Sequence, residues 1–123
     1  MTFTEQLLLA MPLLAAQILA RPDYVLAVDQ AARAEALPRG HLAAVCALES
    51  GWGRAPGAWC GVTHPRTPAP QQAQAAARIL ARMHRVCGSW PRALAAYRWG
   101  SCAHPDTTGY VRRALALAER VGP

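Results

Sequence analysis

The sequence predicts an all-α, compact domain of about five to six helices, with one irregular loop or short hairpin. Three observations predict it. Apolar residues recur at helical spacing nearly throughout, alternating strand patterns are almost absent, and Gly and Pro fall between the periodic runs, not in tracts. At 123 residues, 53% hydrophobic and 16% charged, the chain is sized for a single domain, residues 1–123, and its composition excludes disorder and low-complexity sequence.

The first element is apolar: Phe3, Leu7, Met11, Leu14 and Ile18 share one helical face and read as a buried N-terminal helix in region 1–21, ahead of a core in region 22–123. The apolar stretch Leu7 to Ala20 has only 14 residues and contains Pro12, too short to cross a bilayer at about 1.5 Å per residue, so no integral membrane segment is expected. It is not a convincing signal peptide either. No Arg precedes it, Glu5 stands where positive charge belongs, and Ile18-Leu19-Ala20 is not a small-x-small cleavage site, which leaves an atypical signal as the alternative.

Arg21-Pro22-Asp23 breaks that helix and starts a second, with Tyr24, Val25, Val28, Ala31, Ala32 and Ala36 on one stripe up to Leu37-Pro38-Arg39-Gly40. A third runs from about Pro38 or His41 to Ser50, and Gly51 closes it where a left-handed residue is needed. Trp52 to Pro70 is loop, with room for a short irregular hairpin. A fourth helix, about Gln71 to Val86, turns Ala73, Ala76, Ala77, Leu80 and Met83 inward and Arg78, Arg82 and Arg85 to solvent. Trp90 and Pro91 start a fifth that ends by Gly100, and Thr107 or Thr108 caps the last, through Tyr110, Val111, Ala114, Leu115, Leu117 and Val121.

The formal charge is +6 and all 13 basic residues are Arg, a balance that suits an anionic partner such as a nucleic acid, a membrane surface or a wall polymer. The arginines are spread over every segment instead of gathered on one recognition helix, so no nucleic-acid partner is expected. Four cysteines, Cys46, Cys60, Cys87 and Cys102, fit an oxidising compartment. Cys60-x3-His64 and Cys102-x-His104 lack a paired C-x2-C, so disulfides are expected in preference to a metal site, and no metal or cofactor is expected.

One side chain is out of place. Leu42, Val45 and Glu49 follow i, i+3, i+7 spacing, which sets Glu49 beside the stripe that faces the core. It also occupies the last turn of its helix, at the negative end of the dipole. Desolvation and the dipole both disfavour a carboxylate, and both push its pKa toward the range of a general acid. A buried ion pair with one of the arginines is the ordinary alternative.

Glu49-Ser50-Gly51-Trp52-Gly53 after the helical run Leu42 to Leu48 resembles the catalytic Glu-Ser segment of the lysozyme-like superfamily, lytic transglycosylases of the SLT type above all. Ala93-Leu94-Ala95-Ala96-Tyr97-Arg98-Trp99-Gly100 is similar to that family's Ala-Leu-Ala-Ala-Tyr-Asn-x-Gly segment, and Tyr110-Val111-Arg112-Arg113 to its closing Tyr-Val-x-Arg/Lys helix. The ordered elements cover residues 23–121. Two departures stand out: Gly61-Val62-Thr63-His64 is a partial counterpart of the family's Gly-Leu-Met-Gln element, and Arg98 replaces the Asn.

The resemblance implies a compact lysozyme-like helical domain that cleaves the β-1,4 bond between N-acetylmuramic acid and N-acetylglucosamine. Glu49 would be the catalytic acid and base, and Ser50, Trp52, Gly61, Val62, Thr63, His64, Tyr97, Arg98, Trp99 and Tyr110 would bind substrate. It also brings the loops of Cys60 and Cys102 beside one cleft, which makes Cys60–Cys102 the disulfide expected. Peptidoglycan glycan strands are then the partner, a monomer the expected state, and the setting periplasmic, extracellular or phage-associated. A related muramidase or glucosaminidase, and an inactive glycan-binding or structural module, are the alternatives. Glycoside hydrolysis normally takes two carboxylates. With seven acids, of which Asp106 is the one candidate for a second member and reads equally as a helix cap, the single-glutamate reaction is favoured.

Overall fold

A computed structural model describes residues 1–123 as seven α-helices joined by turns, with no strand. These are α1 (Phe3–Ala10), α2 (Ala15–Ala20), α3 (Pro22–Ala34), α4 (Arg39–Ser50), α5 (Ala69–Cys87), α6 (Trp90–Trp99) and α7 (Tyr110–Val121). The all-α expectation holds, with one helix more than expected because the N-terminal helix is broken. Pro12 has no amide to continue the ladder, so α1 ends at Ala10, a 3-10 turn spans Pro12–Leu14, and α2 leaves at 110°. The bend lets Phe3, Leu7, Met11 and Ile18 all reach the core, while Leu14 stays half-buried. No single helix is long and apolar enough to cross a membrane.

Helix α4 is the central element: every residue from Leu42 to Ala47 is buried. One side packs with α3 and α5, in a cluster that α1 and α2 complete, around Leu7, Ile18, Val28, Leu42, Cys46 and Ala76. The other packs with α6 and α7 around Val45, Leu80, Leu94, Tyr110 and Ala114. The small side chains of Ala43, Ala44 and Ala47 let neighbours approach α4 closely between Leu42 and Val45. Gly40 extends this logic, because a Cβ there would stand 2.7 Å from the Ala118 carbonyl oxygen of α7.

The segment 51–68 folds as irregular turns, not the hairpin the glycines and prolines also allowed. The last helix is capped by Asp106, whose carboxylate accepts from the Val111 and Arg112 amides at 2.9 and 3.1 Å; Thr107 and Thr108 are not used. Trp90 opens α6 between the rings of His41 and His84, 4.4 and 4.0 Å away. Arg78, Arg82 and Arg85 are solvent-exposed, as the pattern of α5 requires.

The four cysteines form two disulfides, Cys46–Cys60 and Cys87–Cys102, a pairing that suits an oxidising environment. The expected Cys60–Cys102 bridge is therefore wrong. Cys46 lies one helical turn before Glu49 and takes Cys60, while the end of α5 carries Cys87 to the loop after α6. Cys46 is fully buried, on the side of α4 that faces the loop packed over the helix.

Candidate active site

The site is built where α4 ends. Gly51 takes the left-handed conformation at φ 61°, and Trp52 follows at φ 60°, a costly geometry for a bulky residue, held by the burial of its whole side chain. Trp52 meets the edge of Trp59 at 5.6 Å, and Trp59 stacks on Tyr24 at 3.9 Å, so the three rings form a floor beneath the turn. Ser50 locks that turn: its hydroxyl donates to the Trp59 carbonyl and accepts from the Gly53 amide at 2.8 Å. Gln72 of α5 accepts from the Trp59 amide at 2.6 Å and donates to the Thr67 carbonyl at 2.6 Å.

These ties bring residues 59–61 back across the end of α4. The Cys46–Cys60 disulfide draws Cys60 onto the helix, and the Tyr97 hydroxyl of α6 donates to the Cys60 carbonyl at 2.6 Å. The next residue, Gly61, lies flat on the glutamate. A Cβ on Gly61 would stand 2.9 Å from Glu49 Cδ, and φ of 86° disfavours any other residue there.

Glu49 is left with 11% of its side chain exposed and one opposing charge. Arg98 Nη1 lies 3.6 Å from Glu49 Oε2, an ion contact too long to be a hydrogen bond. Burial pushes the Glu49 carboxyl above its usual range; Arg98 pulls it down, and burial prevails. The Tyr97 phenol is held well above its ordinary value by burial first, then by electrostatic coupling to Tyr110 and Glu49. Tyr110 is raised by burial and by Glu49, with Arg98 opposing, and its hydroxyl is buried without a hydrogen-bond partner. Both phenols are thus protonated donors at any physiological pH.

The acid is reachable from one side. An open cleft of about 390 Å³ is lined by Leu14, Leu48, Glu49, Ser50, Gly51, Arg54 and Ala55. Beside it an apolar hollow of about 270 Å³ shares Leu14 and Leu48 and extends to Met11, Leu117 and Arg120.

Of the residues singled out from the sequence, Glu49, Gly61, Tyr97, Arg98 and Tyr110 come together. Trp52 does not. It is fully buried and offers no ring face to a glycan, because the turn folds it under α4 instead of over the cleft. Ser50 contributes backbone to the cleft while its hydroxyl is spent inside the turn. Trp99 stacks on His104 at 4.4 Å and meets the edge of Tyr110 at 6.1 Å, a support for Tyr110. Val62 packs on the core, Thr63 Oγ1 is buried without a partner, and exposed His64 accepts from the Arg66 amide at 3.1 Å.

Three participants were missed. Cys46 and Gln72 hold the loop, and Arg54 borders the cleft. Gln72 had a readable signal, a polar side chain one turn before the inward Ala76 of α5, and the structure leaves it only 4% exposed. Arg54 had none, since the turn geometry alone brings it to the cleft. Comparisons of the chain with protein-family models, with curated proteins and with solved structures find no match.

Proposed function

We propose that the protein is a peptidoglycan-cleaving lytic transglycosylase that acts on the β-1,4 bond between N-acetylmuramic acid and N-acetylglucosamine, with Glu49 as its single general acid and base. The observation that carries this reading is the lone carboxyl at the end of α4, desolvated, raised in pKa and bordering an open cleft. The remaining acids support it by being engaged elsewhere or exposed. Asp23 pairs with Arg21, Asp29 with Arg33 and Arg39, Glu5 and Asp106 cap helices, and Glu35 and Glu119 lie away from the cleft lining. A two-carboxylate hydrolysis needs a partner about 5 to 10 Å from the first, and Glu49 is the one acid that lines the cleft.

In the proposed reaction protonated Glu49 gives its proton to the bridging oxygen as the bond to the anomeric carbon breaks. The resulting carboxylate then takes the proton of the muramic acid C6 hydroxyl as that oxygen closes on the same carbon. A 1,6-anhydro ring and a free sugar hydroxyl result, with no water consumed. The internal nucleophile is held at high effective concentration, which is why one carboxyl suffices. Gly61 keeps water from one face of Glu49, and Tyr97 acts through Cys60 to hold Gly61 there. An oxidising setting, periplasmic, extracellular or phage-associated, goes with the two disulfides.

Digestion of purified sacculi tests the reading. Release of fragments with anhydro-muramoyl ends, abolished in Glu49→Gln, is the expected result. Reducing muramic or glucosamine ends would instead indicate a muramidase or a glucosaminidase. The Arg98–Glu49 contact favours one rival, a glycan-binding or structural module without activity, and sacculus retention with no fragment release would establish it.

A further inference from the structure

The arginines that pair with acids elsewhere in the molecule are firmly tied. Arg21 gives Asp23 two hydrogen bonds of 3.0 and 2.7 Å, and Arg39 is shared between Asp29 at 3.1 Å and Gln6 at 3.3 Å. Arg98 is different. It approaches Glu49 no closer than 3.6 Å, keeps 47% of its side chain exposed, and has its guanidinium carbon 5.6 Å from the centre of the Tyr110 ring. A guanidinium offers five donors in a planar fork suited to a carboxylate, and none of Arg98's is committed to Glu49. It stands beside Glu49 but outside the residues that line the cleft, in a chain of formal charge +6.

We infer that Arg98 is an anion receptor at the edge of the site, taking a carboxylate borne by the glycan next to the bond that Glu49 attacks and releasing Glu49 as it does so. The chemistry is that of a muramic acid lactyl carboxylate or of a carboxylate on its peptide substituent. The inference rests on the reading of Glu49 as the proton donor, and it adds both a specificity and a sequence of events. The titratable and charged groups around Glu49 are Arg98 and Tyr97 from α6, Tyr110 from α7 and Arg54 across the turn. Among them only Arg98 draws the carboxyl down. When a ligand carboxylate takes the guanidinium, that pull weakens, burial acts alone, and the incoming negative charge adds to it. Substrate binding thereby loads the proton that the reaction spends. A neutral chitin-type glycan has nothing to offer Arg98 and leaves Glu49 as it was.

The test follows the Glu49 side-chain carboxyl by carbon-13 NMR across pH in the full chain, alone and with two probes. One probe is the N-acetylglucosaminyl-N-acetylmuramic acid disaccharide with a free carboxylate, and the other is neutral di-N-acetylchitobiose. The expected results are an upward shift of the Glu49 midpoint with the first and none with the second, and binding about tenfold tighter for the first, the scale of one charge-assisted hydrogen bond. A lactyl-amide version of the first probe should lose both effects, and a tripeptide-bearing version should regain them if the peptide carboxylate is the natural anion. Arg98→Gln should raise the midpoint of the free protein and erase the preference, while Arg98→Lys, which keeps the charge, should restore part of each. Equal behaviour of the anionic and neutral probes, or a preference that survives in Arg98→Gln, overturns the inference. Sacculus digestion reports separately on the catalytic reading. Anion preference without activity retains Arg98 as receptor and removes Glu49 as catalyst, and activity without anion preference does the reverse.

Discussion

At the scale of the residue, Glu49 is set by two opposed effects of unequal size. Its position was legible, because i, i+3, i+7 spacing along α4 set a carboxylate beside a buried stripe. That burial outweighs Arg98 has a consequence for stability. Since the folded state holds this proton more tightly than the unfolded chain, the contribution is fully present below the ordinary carboxylate value and is lost as pH rises through the raised one. Glu49→Gln should therefore be more stable than wild type at neutral pH, with the advantage vanishing toward about pH 3, and thermal unfolding at a series of pH values checks both sign and window. Gly61 gives the second prediction. A methyl group at a position 2.9 Å from Glu49 Cδ with φ of 86° must move one of them, and Gly61→Ala should cost about 1 to 3 kcal/mol in urea unfolding while lowering fragment release from sacculi. The role of Tyr97 was only half legible. The resemblance made it a substrate-binding residue; its phenol does lie near Glu49, but its hydroxyl is spent on the Cys60 carbonyl, a partner 37 residues away in sequence.

At the scale of the element, α4 and α7 show packing overriding propensity. Alanine is the better helix former by about 1 kcal/mol, yet a Cβ at Gly40 would meet the Ala118 and Gly122 carbonyl oxygens at 2.7 and 2.8 Å. These are backbone atoms at the end of α7 and cannot swing aside. Gly40→Ala should destabilise by about 1 to 3 kcal/mol in denaturant melts, against the sign that propensity alone predicts. The same contest explains where element boundaries departed from expectation. Pro12 was visible in the sequence, but the apolar spacing on both sides of it read as one continuous helix. The bend is favoured because it seats Met11 and Ile18 in the core, a gain no local pattern records. Asp106, four residues before α7 begins, caps it across an intervening turn, whereas local rules had favoured the nearer threonines.

At the scale of the whole molecule, the two disulfides divide the work. Each closes a short loop, with sequence separations of 14 and 15, and removal of either pair by Cys→Ser substitution should cost about 3 kcal/mol of unfolding free energy. Their functional effects should differ. Loss of Cys46–Cys60 frees the segment that carries Gly61 over Glu49 and should lower fragment release in sacculus digestion even where the protein remains folded, while loss of Cys87–Cys102, which fastens α5 to the loop after α6, should leave the rate per folded molecule close to wild type. The amino-acid sequence by itself determined the helical class, most helix positions and the anomaly of one acid on a core-facing stripe, because each follows from the spacing of side chains within a single segment. Only the tertiary structure decided which cysteines pair, that Trp52 goes under the turn, that Gln72 and Tyr97 serve the loop's backbone, and that Arg98 stops 3.6 Å from Glu49. Those outcomes depend on where distant segments meet, and the few ångströms that separate one meeting from another are set by the summed packing of every helix, not by the residues that meet.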